Sequence, residues 1–252
     1  MYTARNYVKA ESLDQAWDLN QRSSNAILGG GCWMRMGERQ YDTLIDLSDL
    51  ELDQIQDGEQ EVTIGAMTTL RQLETSPVLH QSFGDLFARC AQHIVGVQFR
   101  NCATLGGSVY ARFGFSDVVT ALLALDCQVE LVKAGQIDLR DYVSMERDRD
   151  VLAKVYVKKS GRQAAYESAR NSHTDLPVLT CALSVQDGIY RAVVGSRPGG
   201  PKVVECDSWP QLLEQVQGLE YGDNMRASAK YRRHLAGVLL KRCKKELEVR
   251  GV

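Results

Sequence analysis

The residues best suited to chemistry lie between Gln98 and Asp117, in the stretch QFRNCATLGGSVYARFGFSD. Gly106 and Gly107 lack Cβ atoms, so the backbone there can approach a ligand closely and turn successive N–H groups toward an anion. Thr104, Ser108 and Ser116 add hydroxyls. Asp117 supplies a carboxylate just before the apolar run VVTALLAL, where it can cap a helix or accept hydrogen bonds from a ribose. The stretch leaves almost no room for a regular element before Asp117. Taken alone, it reads equally well as a glycine turn followed by a capped helix.

A second stretch offers related chemistry. Asn25-Ala-Ile-Leu28 forms a short apolar strand that runs into Gly29-Gly30-Gly31-Cys32-Trp33-Met34. A strand ending in three glycines places backbone amides where they can converge on a phosphate. The bland alternative is a flexible tight turn.

The elements that must position these loops follow from local pattern. Ser12-Leu-Asp-Gln15 opens a helix as a capping box, and Thr43 to Leu47 and Glu61 to Ala66 read as strands. Thr68 to Glu74 starts a helix that Pro77 ends, and Ser82 to Val95 has apolar residues at helical spacing. Val118 to Leu125 is a further helix. Gln128 to Val132, Ile137 to Tyr142 and Val151 to Val157 are strand segments, with the charged loop Glu146 to Asp150 before the last. Five successive charges favour a solvated surface and the best domain boundary in the chain. Beyond it lie hairpin strands at Gln163 to Tyr166, Thr180 to Val185 and Tyr190 to Val194, then a short helix at Trp209 to Val216 and a long one from Met225 to Leu247. On the long helix Tyr231, Leu235, Val238, Leu239 and Cys243 form one stripe, and Lys230, Arg232, Arg233, Lys241, Lys244 and Lys245 take the other, solvated faces.

Composition narrows the partners. Thirty basic and 32 acidic side chains in 252 residues give a net charge of -2, which argues against nucleic acid or an anionic membrane as ligand. Seven scattered cysteines form no C-x-x-C pair, so neither a disulfide framework nor a metal site is expected, and most read as small buried hydrophobes. His93 has no second ligand at metal spacing and reads as a packing or surface histidine. The N-terminus lacks an apolar signal region and no run of apolar residues is long enough to span a bilayer, so a cytoplasmic protein is expected.

In order along the chain, ILGGGCWM, TIGAMTTLRQLE, RNCATLGGSVYARFGFSDVVTALLALDCQVEL and MRASAKYRRHLAGVLLKR resemble the FAD-binding medium subunit of molybdenum hydroxylases of the xanthine dehydrogenase and carbon monoxide dehydrogenase type. The resemblance covers nearly the whole chain. It implies an α+β fold: a two-lobed FAD-binding domain of the PCMH (vanillyl-alcohol oxidase-like) type at 1–150, with lobes of about 1–55 and 56–150, and a small C-terminal α+β domain with an antiparallel sheet at 151–252. It also implies FAD held between the lobes. The first pyrophosphate loop would be Leu28, Gly29, Gly30, Gly31, Cys32 and Trp33; the second would be Ala103, Thr104, Gly106, Gly107 and Ser108, followed by Ala111 and Ser116. Asp117 falls where the family binds the ribose, and Ile94, Gly96, Phe99 and Leu152 fall where it packs apolar surface on the cofactor. The implied partners are a molybdopterin-containing large subunit and a small subunit with [2Fe-2S] clusters, with NAD or another acceptor taking the electrons. The role asks for no acid-base residue, so no catalytic group and no metal ligand is assigned.

The chain also departs from that pattern. Ser108 stands where Asn is common, Arg112-Phe113-Gly114 replaces a small-small-Pro run, and Glu167 occupies a position where the family often has Lys, although Arg170 and Asp175 are kept. Arg112 either strengthens an anion site or crowds it. Arg112, Phe113 and Glu167 leave open the reading of an assembly subunit that has lost its flavin; a stand-alone flavin reductase of the same superfold is a third reading, although nothing in the chain resembles the substrate-binding domain of those enzymes.

Overall fold

The first element is a strand that the N-terminal sequence had not marked. In the computed structural model, which describes residues 1–251, β1 (Thr3–Lys9) is followed by α1 (Leu13–Asn20), β2 (Ala26–Leu28) and β3 (Gln40–Asp46). β3 lies between β1 and β2 and pairs parallel with both. Ser12 caps α1 by accepting from Gln15 N at 3.1 Å, and Ala16 turns inward with Ala10, Ile45 and Leu47 to form this lobe's core.

The second lobe begins with β4 (Ile55–Asp57) and β5 (Glu61–Gly65). Short helices follow: α2 (Leu70–Thr75), α3 (Pro77–Phe83), α4 (Leu86–Ala91), α5 (Val97–Arg100), α6 (Leu105–Tyr110) and α7 (Asp117–Leu123). Then come β6 (Cys127–Leu131), β7 (Gly135–Asp138), α8 (Leu139–Ser144) and β8 (Leu152–Lys158). The sheet is antiparallel in the order β4-β5-β8-β6-β7. β8, which follows the charged loop, is therefore its central strand.

The last part is an antiparallel sheet of β9 (Gln163–Ala169), β10 (Leu179–Gln186), β11 (Ile189–Gly195) and β12 (Lys202–Cys206), in the order β12-β11-β10-β9. α9 (Trp209–Gly218) and α10 (Ala229–Val249) pack on it around Leu183, Val194, Leu212 and Leu239. α7 joins the two parts. Every residue of α7 is buried, and its apolar run shares one core with Ala182 and Val193 of the C-terminal sheet. At this junction Thr120 and Thr180 bond through their hydroxyls at 2.9 Å, and Ser184 Oγ donates to Ala124 O at 2.6 Å.

Several expectations need correction. Residues 82–95 do not form one helix, because Gly84, with φ of 61°, ends α3 before α4 starts. Residues 137–142 are not one strand: Asp138 accepts from Arg140 N at 2.8 Å and starts α8. The span before Asp117 does hold a regular element, α6, which runs through both of its glycines. The long helix starts at Ala229, where Ser228 accepts from Tyr231 N. Arg232 is not solvated; it is 1% exposed and donates to Val178 O, Gly222 O, Ala227 O and Asn224 Oδ1.

The charged loop is also only half solvated. Glu146 to Asp148 are exposed, whereas Asp150 is buried and accepts from the amides of Lys133, Ala134 and Val151. Arg149 reaches across to the first lobe, donating to Asn20 O, to Arg22 O at 2.8 Å and to Asn25 O at 2.9 Å. One guanidinium thus satisfies three carbonyls at the turn before β2. Arg149→Ala removes the donor to the Asn20 and Asn25 carbonyls, Arg22 O keeping the bond from Asn25 N, and should lower the unfolding free energy by about 2–3 kcal/mol. Urea denaturation checks this, with Glu214→Ala expected within about 0.5 kcal/mol of the parent as an exposed control.

Candidate cofactor-binding cleft

The two glycine stretches meet at the boundary of the lobes. A Cβ on Gly107 would stand 3.1 Å from Gly29 O, and one on Gly30 would stand 1.9 Å from Cys102 O. Gly30 also has φ of 76°, so close approach and backbone conformation both require glycine there. Two adjoining cavities open at this contact, of about 270 and 460 Å³, and Gly29, Trp33, Thr104 and Gly107 bound both.

The loops differ in what their amides do. From Gly29 to Trp33, no backbone N–H finds a hydrogen-bond partner among the described residues, and Gly30 and Gly31 both take positive φ. Successive free amides in a left-handed turn form a concave anion seat. The second stretch is closed instead. Leu105 N donates to Thr68 O at 2.8 Å, Gly106 N to Ala66 O at 2.7 Å and Gly107 N to the Thr104 hydroxyl at 3.1 Å. Ser108 Oγ is turned back to Thr104 O. A Cβ on Gly106 would stand 2.7 Å from Ala66 O, so this glycine allows α6 to pack on the end of β5. The glycine pair read as an amide source therefore serves as the place where the backbones touch.

The sequence-assigned residues are largely brought together. Gly31, Cys32, Ile94, Phe99, Ala103, Ser108, Ala111, Ser116 and Asp117 line the smaller cavity, while Gly106 and Leu152 line the larger. Leu28 and Gly30 face a separate surface depression beside Arg35, and Gly96 starts α5 without lining either cavity. Trp33 is 45% exposed at the mouth, 5.4 Å from Phe113 and 5.6 Å from Phe115 between ring centroids. Phe113 and Phe115 stack at 5.0 Å. A planar, partly apolar ligand would find an aromatic wall here.

Asp117 is 5% exposed, and its Oδ1 accepts from the Tyr166 hydroxyl and from Arg170 on the C-terminal sheet. Burial pushes its carboxyl up, against the pull of Arg170 and Tyr166 in the other direction. Among the described residues no other residue donates to Oδ2, and Asp117 lines the smaller cavity, where its carboxylate can accept from a hydroxyl. Arg112 points away from the cleft. With φ of 49° it donates to Met145 O and Glu146 O and lies 3.9 Å over the Tyr142 ring. It neither strengthens nor crowds the anion seat. Glu167 pairs with Arg89 at 3.5 Å and lines neither cavity.

Residues without a sequence signal complete the walls. Asp117 is the single charged residue lining the smaller cavity among the described residues, whereas Arg39, Arg147 and Arg149 are the charges lining the larger. Arg147 and Arg149 sit in the loop read as plain solvation, and Arg39 lies in a stretch with no assigned element. The runs ERDRD and GERQ carried the signal only as charge, since nothing in one sequence shows which loop faces a cleft.

A cleft between two lobes, with an amide seat, an aromatic wall, one carboxylate and a cationic end, is the setting of a nucleotide cofactor with a diphosphate. Residues 2–159 match the family described as the FAD binding domain in molybdopterin dehydrogenase, and the chain belongs to that family. It is 26% identical to the uncharacterized protein YgfM of Escherichia coli K12, over 93% of both chains. It is 33% identical to the nicotinate dehydrogenase FAD-subunit of Eubacterium barkeri over 58% of this chain and 54% of that one. A chain of carbon monoxide dehydrogenase from Hydrogenophaga pseudoflava superposes with a TM-score of 0.83 at 22% identity, covering 95% and 96%, which shows the shared α+β fold with its antiparallel C-terminal sheet.

Two predictions follow from the buried charges around the cleft. Arg170→Leu strands the Asp117 carboxylate and should cost about 3–5 kcal/mol of stability by urea denaturation, part of which Asp117→Leu in the same chain restores. Equal stabilities of the single and double variants would contradict this pairing. The second concerns Glu74, which holds α5 by accepting from Arg100 Nε at 2.8 Å and Nη2 at 3.2 Å. Burial pushes Glu74 up, but the bonds from Arg100 and Arg71 outweigh it and hold the carboxyl below its ordinary 4.5. Its contribution is thus fully present above 4.5 and lost as pH falls through the lower folded value. Glu74→Gln should flatten the acid limb of stability against pH in that window, read from urea midpoints.

Proposed function

We propose that this chain is the FAD-binding electron-transfer subunit of a molybdenum-containing hydroxylase or dehydrogenase complex. The observation that carries this reading is the run of free amides from Gly29 to Trp33, set between Asp117 and a cationic cavity in a chain of this family. Leu28 to Trp33 hold the diphosphate, Asp117 Oδ2 accepts from the sugar hydroxyls, and Ile94, Phe99 and Leu152 pack on the cofactor's rings. Gly96 supports that wall by starting α5. Ala103, Thr104, Gly106, Gly107, Ser108, Ala111 and Ser116 shape the opposite side. FAD, when bound, supplies the redox chemistry by accepting electrons and passing them on. The protein positions it, excludes water with Trp33, Phe113 and Phe115, and fixes a carboxylate at one end.

The partners in this reading are a molybdopterin-containing large subunit and a [2Fe-2S] small subunit, with NAD or another acceptor as outlet. It is supported by relatives named as a FAD-subunit and as a carbon monoxide dehydrogenase medium chain. The cofactor-binding unit comprises both lobes, and the β8 pairing extends it to Lys158, with the C-terminal sheet and its helices as the second unit.

Expression of the full chain tests the reading. The purified protein should be yellow, or should take up added FAD with the visible absorption of a bound flavin. A colourless protein that binds no FAD would overturn it in favour of an assembly subunit.

A further inference from the structure

The charges of the cleft are unevenly spent. Arg149 is consumed by carbonyls of the first lobe. Arg39 donates one bond from Nη2, to Ser23 O at 2.8 Å, with its guanidinium 5.2 Å over Tyr41. Arg147 likewise donates one, to Ala111 O, with its guanidinium 5.8 Å from the Phe113 ring. The remaining donors of both side chains meet no described residue, and neither pairs with a carboxylate. Both line the larger cavity, from different lobes: Arg39 immediately precedes β3 of the first lobe, and Arg147 lies in the loop before β8 of the second.

A diphosphate brought into this cleft needs charge as well as hydrogen bonds. The Gly29 to Trp33 amides supply dipoles, the second loop's amides are already bonded, and Arg112 is turned onto Tyr142. Resting on the reading that the ligand is FAD, we propose that Arg39 and Arg147 clamp its diphosphate from the two lobes and set the preference for a flavin dinucleotide over a flavin without phosphate. Each guanidinium has forked donors free for phosphate oxygens.

Titrating the full chain with FAD and with riboflavin, followed by flavin fluorescence, separates this role from a structural one. Arg39→Ala and Arg147→Ala should each raise the Kd for FAD about tenfold, and the double variant about a hundredfold. Riboflavin affinity should stay within about twofold in all of them. The salt dependence of FAD binding should flatten in the double variant, and Arg147→Lys should recover part of the loss. An unchanged Kd for FAD, or equal weakening of FAD and riboflavin, would overturn the clamp while leaving the flavoprotein reading in place. A parent protein that binds neither flavin would overturn both.

Discussion

The architecture depends on a backbone contact. The carbonyl of Gly29 and the start of α6 at Gly107 come so close that a Cβ at either position would be tightly packed, and Gly30 meets Cys102 so closely that no Cβ fits there. Bringing two lobes together at this distance removes water from both and would strand their polar groups unless each had a partner. On the α6 side all the partners are internal, from Thr68, Ala66 and Thr104. On the Gly29 side they are left over. This asymmetry, more than the presence of glycines, creates a seat for an anion.

The rest of the molecule holds that contact in place and polarises the space beside it. Arg149 and Asp150 fasten the loop before β8 to the first lobe and to the β6–β7 turn. Arg100 and Glu74 fasten the helix that leads into the second loop. α7 sinks an apolar run between the lobe and the C-terminal sheet, which in turn sends Tyr166 and Arg170 to Asp117. The C-terminal sheet thereby holds a carboxylate beside the smaller cavity, while Arg39, Arg147 and Arg149 line the larger.

Much of this was legible in the residues. The local residue pattern marks β5, β6 and β10 as strands, and the order of the glycine, threonine and aspartate motifs points to the family. What was not legible depended on tertiary placement. GGS reads as a loop because glycine disfavours helices, yet close packing of Gly106 against Ala66 makes glycine the residue that fits there in α6. The ERDRD run looked solvated because its partners, carbonyls near Asn20 and Asn25, lie more than a hundred residues away. Arg232 was misplaced for the same reason: its four acceptors come from loops that periodicity cannot see.

The most direct measurement is amide chemical shift on the isotopically labelled chain titrated with FAD. The account predicts large perturbations at the Gly29 to Trp33 amides, which gain phosphate acceptors, and small ones at Leu105 to Gly107, whose hydrogen bonds are already made within the protein. Shifts of equal size in both loops, or confined to the second, would contradict it.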